Sequence, residues 1–87
     1  MDVRKRLAWN VRRIRVAKGL SQEALAVDAD IDRTYVSGLE RQTENPTINV
    51  LAQLAKALDV DVSALLLQPD PGEKEPKPLK DGRKPKR

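Results

Sequence analysis

The chain contains no cysteine and no histidine. Disulfides are excluded, and so are metal sites built on thiolate or imidazole ligands. Redox chemistry therefore does not set the compartment. Long apolar runs are missing too. The N-terminal MDVRKRLAWNVRR is basic but never becomes the apolar core of a signal peptide. No stretch is long and apolar enough to span a bilayer. These absences give the expectation of a cytoplasmic chain with no membrane partner. Neither a nucleophile–base pair nor a metal constellation is visible, and the carboxylates sit where helix caps and turns account for them. No enzymatic activity, cofactor or small-molecule ligand is expected.

What is present is short and charged. A length of 87 residues allows one small domain with a modest core. The net charge is +4, but it is unevenly spread. Residues 1–20 carry seven Lys/Arg against Asp2, residues 21–68 carry three against eight carboxylates, and residues 69–87 carry seven against four. A mildly acidic body thus has basic material at both ends, and contact with a polyanion should be local.

The stretch from Leu20 to Arg41, LSQEALAVDADIDRTYVSGLER, reads as two short helices joined by a tight turn. Ser21 is placed to cap the first, with Glu23 adding negative charge to its first turn. Asp28, Asp30 and Asp32 interrupt the helical pattern, since aspartate favours turns and caps. Asp32 then caps a second helix, and Ile31 can staple its entry. Val36 and Leu39 share one face of that helix, while Arg33, Thr34, Ser37 and Arg41 project elsewhere. An apolar inner face with a short, hydrogen-bonding outer face suits a helix that lies in a DNA major groove.

The rest of the chain fits around this pair. Val3, Leu7, Val11 and Ile14 recur at helical spacing and predict a helix over about 3–18, closed by Gly19. Trp9 lies off that stripe and either covers the core edge or anchors another subunit. Gln42 to Pro46 reads as a loop. Thr47 caps a fourth helix, to about Leu58, whose stripe is Ile48, Leu51, Leu54, Ala55 and Leu58. Asp61 caps a short fifth helix carrying Val62, Leu65 and Leu66. From Pro69 onward the chain holds five of its six prolines and only one large apolar residue, Leu79. Residues 69–87 are therefore expected to form a disordered basic tail, following the domain over 1–68.

An all-α arrangement of five helices, with a helix-turn-helix at the second and third, resembles the lambda-repressor-like (Xre-type) DNA-binding domains. The resemblance is carried by VRRIRVAKGLSQEALA, DRTYVSGLER, NPTINVLAQLAKAL and DVSALL, which together span nearly everything from Val3 to Leu67. Within the family, DRTYVSGLER is similar to the controller proteins of restriction–modification systems.

The resemblance implies a set of roles. Arg33, Thr34 and Ser37 match positions that contact bases. Gln22, Tyr35, Arg41, Thr43, Asn45 and Thr47 match positions on the DNA backbone. Arg15 and Glu40 match an internal ion pair. Leu65, Leu66 and Leu67 cannot all face one core, so the fifth helix is the expected dimer surface, as in the family. Two departures stand out. Gly38 occupies a position where many relatives carry a base-contacting side chain, and it is expected to leave a bare spot. Glu44 lies in a loop that should face phosphates.

The implied function is a homodimeric, sequence-specific transcription regulator on double-stranded DNA, a repressor or autoregulator of a near-palindromic operator. With no room expected for a ligand-sensing domain, its own concentration would provide the control. The alternative is an antitoxin-like or adaptor module that uses the same fold to bind protein. Arg4, Lys5 and Arg6 read equally as a solvated face or as phosphate contacts. The Arg83 to Arg87 cluster reads as a solubilising end or as an aid to salt-dependent binding.

Overall fold

A side-chain oxygen starts every element of the fold. The computed structural model describes residues 2–69 and comprises α1 (Val3–Ala17), α2 (Gln22–Ala29), α3 (Arg33–Glu40), α4 (Ile48–Leu58) and a 3₁₀ turn over Val62–Leu66. Asp2 accepts from the Lys5 amide, Ser21 from Ala24, Asp32 from Thr34, Thr47 from Val50 and Asp61 from Ser63. Each such cap satisfies an amide the helix leaves unpaired, and is typically worth about 1 kcal/mol. Two hydrogen bonds from Ser63 also hold the Asp61 carboxyl below its ordinary pKa.

The ends are equally local. Gly19 takes the left-handed backbone after α1, with φ 72°. Asp30 and Asp59 do the same after α2 and α4, with φ 60° and 59°. Aspartate tolerates that region better than most side chains do. Gln42, with φ 66°, has no such excuse. We expect Gln42→Gly to stabilise the fold by about 0.5–1 kcal/mol, the relief of left-handed strain outweighing glycine's larger unfolded-state entropy. Thermal unfolding followed by circular dichroism checks this; a lowered midpoint would show that the Gln42 side chain makes contacts worth more than the strain.

The core joins all five elements. Leu7, Val11 and Ile14 of α1 meet Leu25, Ala26 and Ala29 of α2, Val36 and Leu39 of α3, Leu54, Ala55 and Leu58 of α4, and Leu65. α3 packs between α1 and α2, while α4 lies against α2 and the 3₁₀ turn. Two residues of the expected stripes stay outside: Val3 is 61% exposed and Ile48 81% exposed. Each is the first residue of its helix, so the helical period assigns it to the core face although it lies beyond the edge of the packed layer. The expected fifth helix is the 3₁₀ turn instead.

That change corrects the reading of the three leucines. A 3₁₀ turn has three residues per turn, so Leu65 and Leu66, its last two residues, point about 120° apart, and Leu67 follows in extended backbone. Leu65 points fully into its own core, Leu66 is half-buried at the edge, and Leu67 is 58% exposed. Leu65 therefore has no side-chain surface to offer a second subunit.

The turn is clamped to α1 by a residue with no sequence signal. Asn10 is buried and donates from Nδ2 to the carbonyls of Leu65 at 3.0 Å and Leu67 at 2.8 Å. Arg6 reaches the same segment, its guanidinium donating to the Leu66 carbonyl and the Gln68 side chain. Arg6 is thus turned toward the C-terminal segment, which favours a structural role over a phosphate contact. Trp9 is half-buried, with its indole N–H enclosed and without an acceptor among the described residues. The remainder of the expected tail, with Leu79 and the Arg83 to Arg87 cluster, lies outside the described residues.

Candidate nucleic-acid interface

The α2–turn–α3 unit is fixed to α1 from below by charge. Arg15 is 3% exposed and Glu40 6% exposed. Arg15 donates from Nε to Glu40 Oε2 at 2.7 Å and from Nη2 to Glu40 Oε1 at 3.0 Å, a two-pronged pair. Its Nη1 also donates to the Leu20 carbonyl at 2.7 Å. Two more donors reach the same carboxylate: Arg12 Nε at 3.3 Å and Gln22 Nε2 at 3.1 Å. One glutamate at the end of α3 thus gathers α1 and the start of α2. Arg12 sits three residues before Arg15 on the same helix, and that spacing is the signal by which it could have been found.

This platform sets the outer surface of α3. Arg33 and Thr34 are exposed in its first turn, while Val36, Leu39 and Glu40 face inward. Ser37 is half-buried and accepts a hydrogen bond from the Arg41 guanidinium, so its own hydrogen remains available. Tyr35 is half-buried against the core. Burial raises its phenol above the ordinary pKa, and the negative charge of Glu44 adds to the effect.

The flanking residues divide. Asn45 and Thr47 are exposed. Thr47 accepts from the Val50 amide at 3.1 Å and keeps its own hydroxyl hydrogen. Thr43 differs: its hydroxyl donates to the Gly38 carbonyl at 3.1 Å, and its amide donates to the same oxygen at 2.8 Å. The Thr43 hydroxyl thus latches the loop to α3 while the residue itself stays exposed among the other expected backbone contacts. Gln22 keeps one amide hydrogen beyond its bond to Glu40.

The bare spot expected at Gly38 is filled. A Cβ placed there would lie 2.6 Å from Glu44 Cγ and 3.1 Å from both Glu44 Oε2 and Thr43 Oγ1. Gly38 is buried because the loop after α3 folds back over it. Glu44 itself is half-buried. The glycine makes room for that close approach of the Glu44 side chain, and nothing in the linear sequence ties position 38 to position 44.

A four-helix body, its second and third helices joined by a tight turn, with a polar outer face on the third, has clear counterparts among known proteins. The helix-turn-helix family model matches residues 11–65. The chain belongs to the helix-turn-helix family of lambda-repressor-like (Xre-type) DNA-binding transcription regulators.

Relatives sharpen the placement. A hypothetical transcription factor of Neisseria meningitidis serogroup B is 47% identical over 68 residues, covering 78% of this chain and 64% of that protein. Its crystal structure superposes with a TM-score of 0.76, covering 78% of each chain. The control protein C.SmaI of Serratia marcescens is 46% identical over 66 residues, covering 76% of this chain and 79% of its own. The restriction–modification controller protein C.Esp1396I, solved as a tetramer with its natural 35-base-pair operator, is 35% identical with a TM-score of 0.69 over 75% of this chain and 86% of its own. Among the described residues, no helix is long and apolar enough to cross a membrane.

Proposed function

We propose that this chain is a dimeric transcription regulator that lays α3 in the major groove of a near-palindromic operator and acts as a repressor or autoregulator. The observation that carries this reading is the division of α3: Val36, Leu39 and Glu40 are buried in the body while Arg33 and Thr34, in its first turn, stand exposed. Arg33 is suited to a bidentate pair with guanine O6 and N7. Thr34 and Ser37 are short enough for base edges or a thymine methyl. Gln22, Tyr35, Arg41, Thr43, Asn45 and Thr47 would touch the sugar–phosphate backbone, which fixes register rather than sequence. The likeness to C.SmaI and to C.Esp1396I supports the narrower role of a restriction–modification controller.

Dimerisation is assigned to the surface around Leu66 and Leu67, with Leu65 withdrawn into the core. The test couples selection of bound sequences from random duplex DNA, at low and moderate salt, with sedimentation of the complex. Enriched sequences should hold two inverted half-sites about one helical turn, roughly 34–36 Å, apart, and the complex should contain two protein chains or a multiple of two. Absence of any enrichment, or a single half-site bound by one chain, would overturn the proposal.

A further inference from the structure

The notch at Gly38 has a consequence for which bases are read. On a helix, residues three and four positions apart lie above one another. Gly38 is four residues after Thr34 and three after Tyr35, so it sits one turn above both, on the outward side of α3. An outward position on a short surface helix should be exposed, yet Gly38 is buried. What covers it is the Glu44 side chain, whose Cγ and Oε2 would crowd any Cβ at 38 to 2.6 and 3.1 Å. The Tyr35 phenol senses the same carboxylate, so the negative charge rests along the Tyr35–Gly38 strip of the helix. Thr43 fastens the loop through its two hydrogen bonds to the Gly38 carbonyl.

We infer that Glu44 is a specificity-determining residue: it takes the place of the side chain that Gly38 lacks and presents a carboxylate to the groove, selecting a base pair whose major-groove edge offers the amino group of cytosine. A carboxylate accepts only, so it pairs with the cytosine N4 donor; it is repelled by the O6 and N7 acceptors of guanine, by the O4 of thymine, and by the N7 acceptor that adjoins the N6 donor of adenine. The same charge weakens attraction to every phosphate nearby, so Glu44 lowers overall affinity while raising discrimination. It does so next to Arg33 and Thr34, which contact neighbouring base pairs on the reading proposed above, and the inference rests on that reading.

The experiment is selection from random duplex DNA with the wild-type chain, Glu44→Ala, Glu44→Gln and Gly38→Ala, followed by titration of the enriched sites and of each single-base change. In the wild type, one position of each half-site should prefer cytosine by roughly 5- to 100-fold over the worst base. Glu44→Ala should flatten that position alone and bind unrelated DNA more tightly. Glu44→Gln should move the preference toward adenine, whose N6 and N7 suit a carboxamide. Gly38→Ala should displace Glu44 and flatten the same position. Should Gly38→Ala fail to fold, the two Glu44 variants, which leave α3 untouched, decide the matter alone. If the wild type selects a site and Glu44→Ala selects it with unchanged discrimination at every position, the inference is wrong while the DNA-reading role of α3 stands. If the wild type enriches nothing, both fall.

Discussion

Glu40→Ala is expected to lower stability by about 3–5 kcal/mol, the usual consequence of removing one partner of a buried ion pair. Small domains hold only roughly 5–15 kcal/mol in total, so this is a large fraction of the stability and the unfolding midpoint should fall steeply. The loss is large because Arg15 stays behind, 3% exposed, with its charge uncompensated and only the Leu20 carbonyl as a partner. Arg12 and Gln22 lose their shared acceptor at the same moment. Removing both charges is a different matter. Arg15→Met with Glu40→Leu should recover part of the loss, since a buried pair often adds little over well-packed apolar groups. Urea unfolding, followed by circular dichroism, measures all three chains. A Glu40→Ala midpoint close to wild type would mean that the pair is solvated in solution. Arg12→Ala should cost under about 1 kcal/mol, because that side chain is 27% exposed and its charge can turn to water.

Arg33→Ala should remove operator preference and leave the fold intact. Arg33 is exposed and begins α3, and no core residue depends on it. Losing a bidentate contact to guanine costs about 1–3 kcal/mol of discrimination per half-site, and a dimer loses it twice. Binding to unrelated DNA should fall far less, since only one charge among several phosphate-directed groups is gone. Titrating labelled operator and scrambled duplex in parallel, at two salt concentrations, separates the two effects. An unchanged ratio of the two affinities would show that α3 is not the reading element.

The parts of this molecule that were legible in its sequence are those whose physics is local. Ser21, Asp32, Thr47 and Asp61 cap the elements they were expected to cap, because a cap needs only an oxygen and an amide two or three residues away. Gly19 was legible for the same reason. The central stripes of α1 and α4 followed from period alone, and the errors fell at the first residue of each helix, where periodicity has no information about where the packed layer stops. The Arg15–Glu40 pair is legible through family resemblance rather than spacing, and the resemblance is silent on the two further donors, Arg12 and Gln22. Asn10 and the Gly38–Glu44 contact were illegible, since each joins residues through space with no repeating pattern. Three adjacent leucines cannot share one face, as their burial shows, but a helical period cannot say which of them goes inward. Packing against α1, where Asn10 holds the Leu65 carbonyl, brings Leu65 in.

Asn10 and Leu65 are partners from opposite ends of the described chain, and this bears on when the protein becomes competent during synthesis. The helix that would meet DNA is complete once residue 40 has been made. The platform beneath it is not. Leu65 supplies a fully buried core side chain, and the Leu65 and Leu67 carbonyls are the acceptors that satisfy a buried amide on α1. A nascent chain still lacking these residues has its α1 stripe partly uncovered and Asn10 without partners, so it holds α3 on an unfinished support. Fragments released early by ribosome stalling or premature termination would carry the whole of α3 and still hold it poorly. The count of working molecules then tracks finished chains rather than initiated ones.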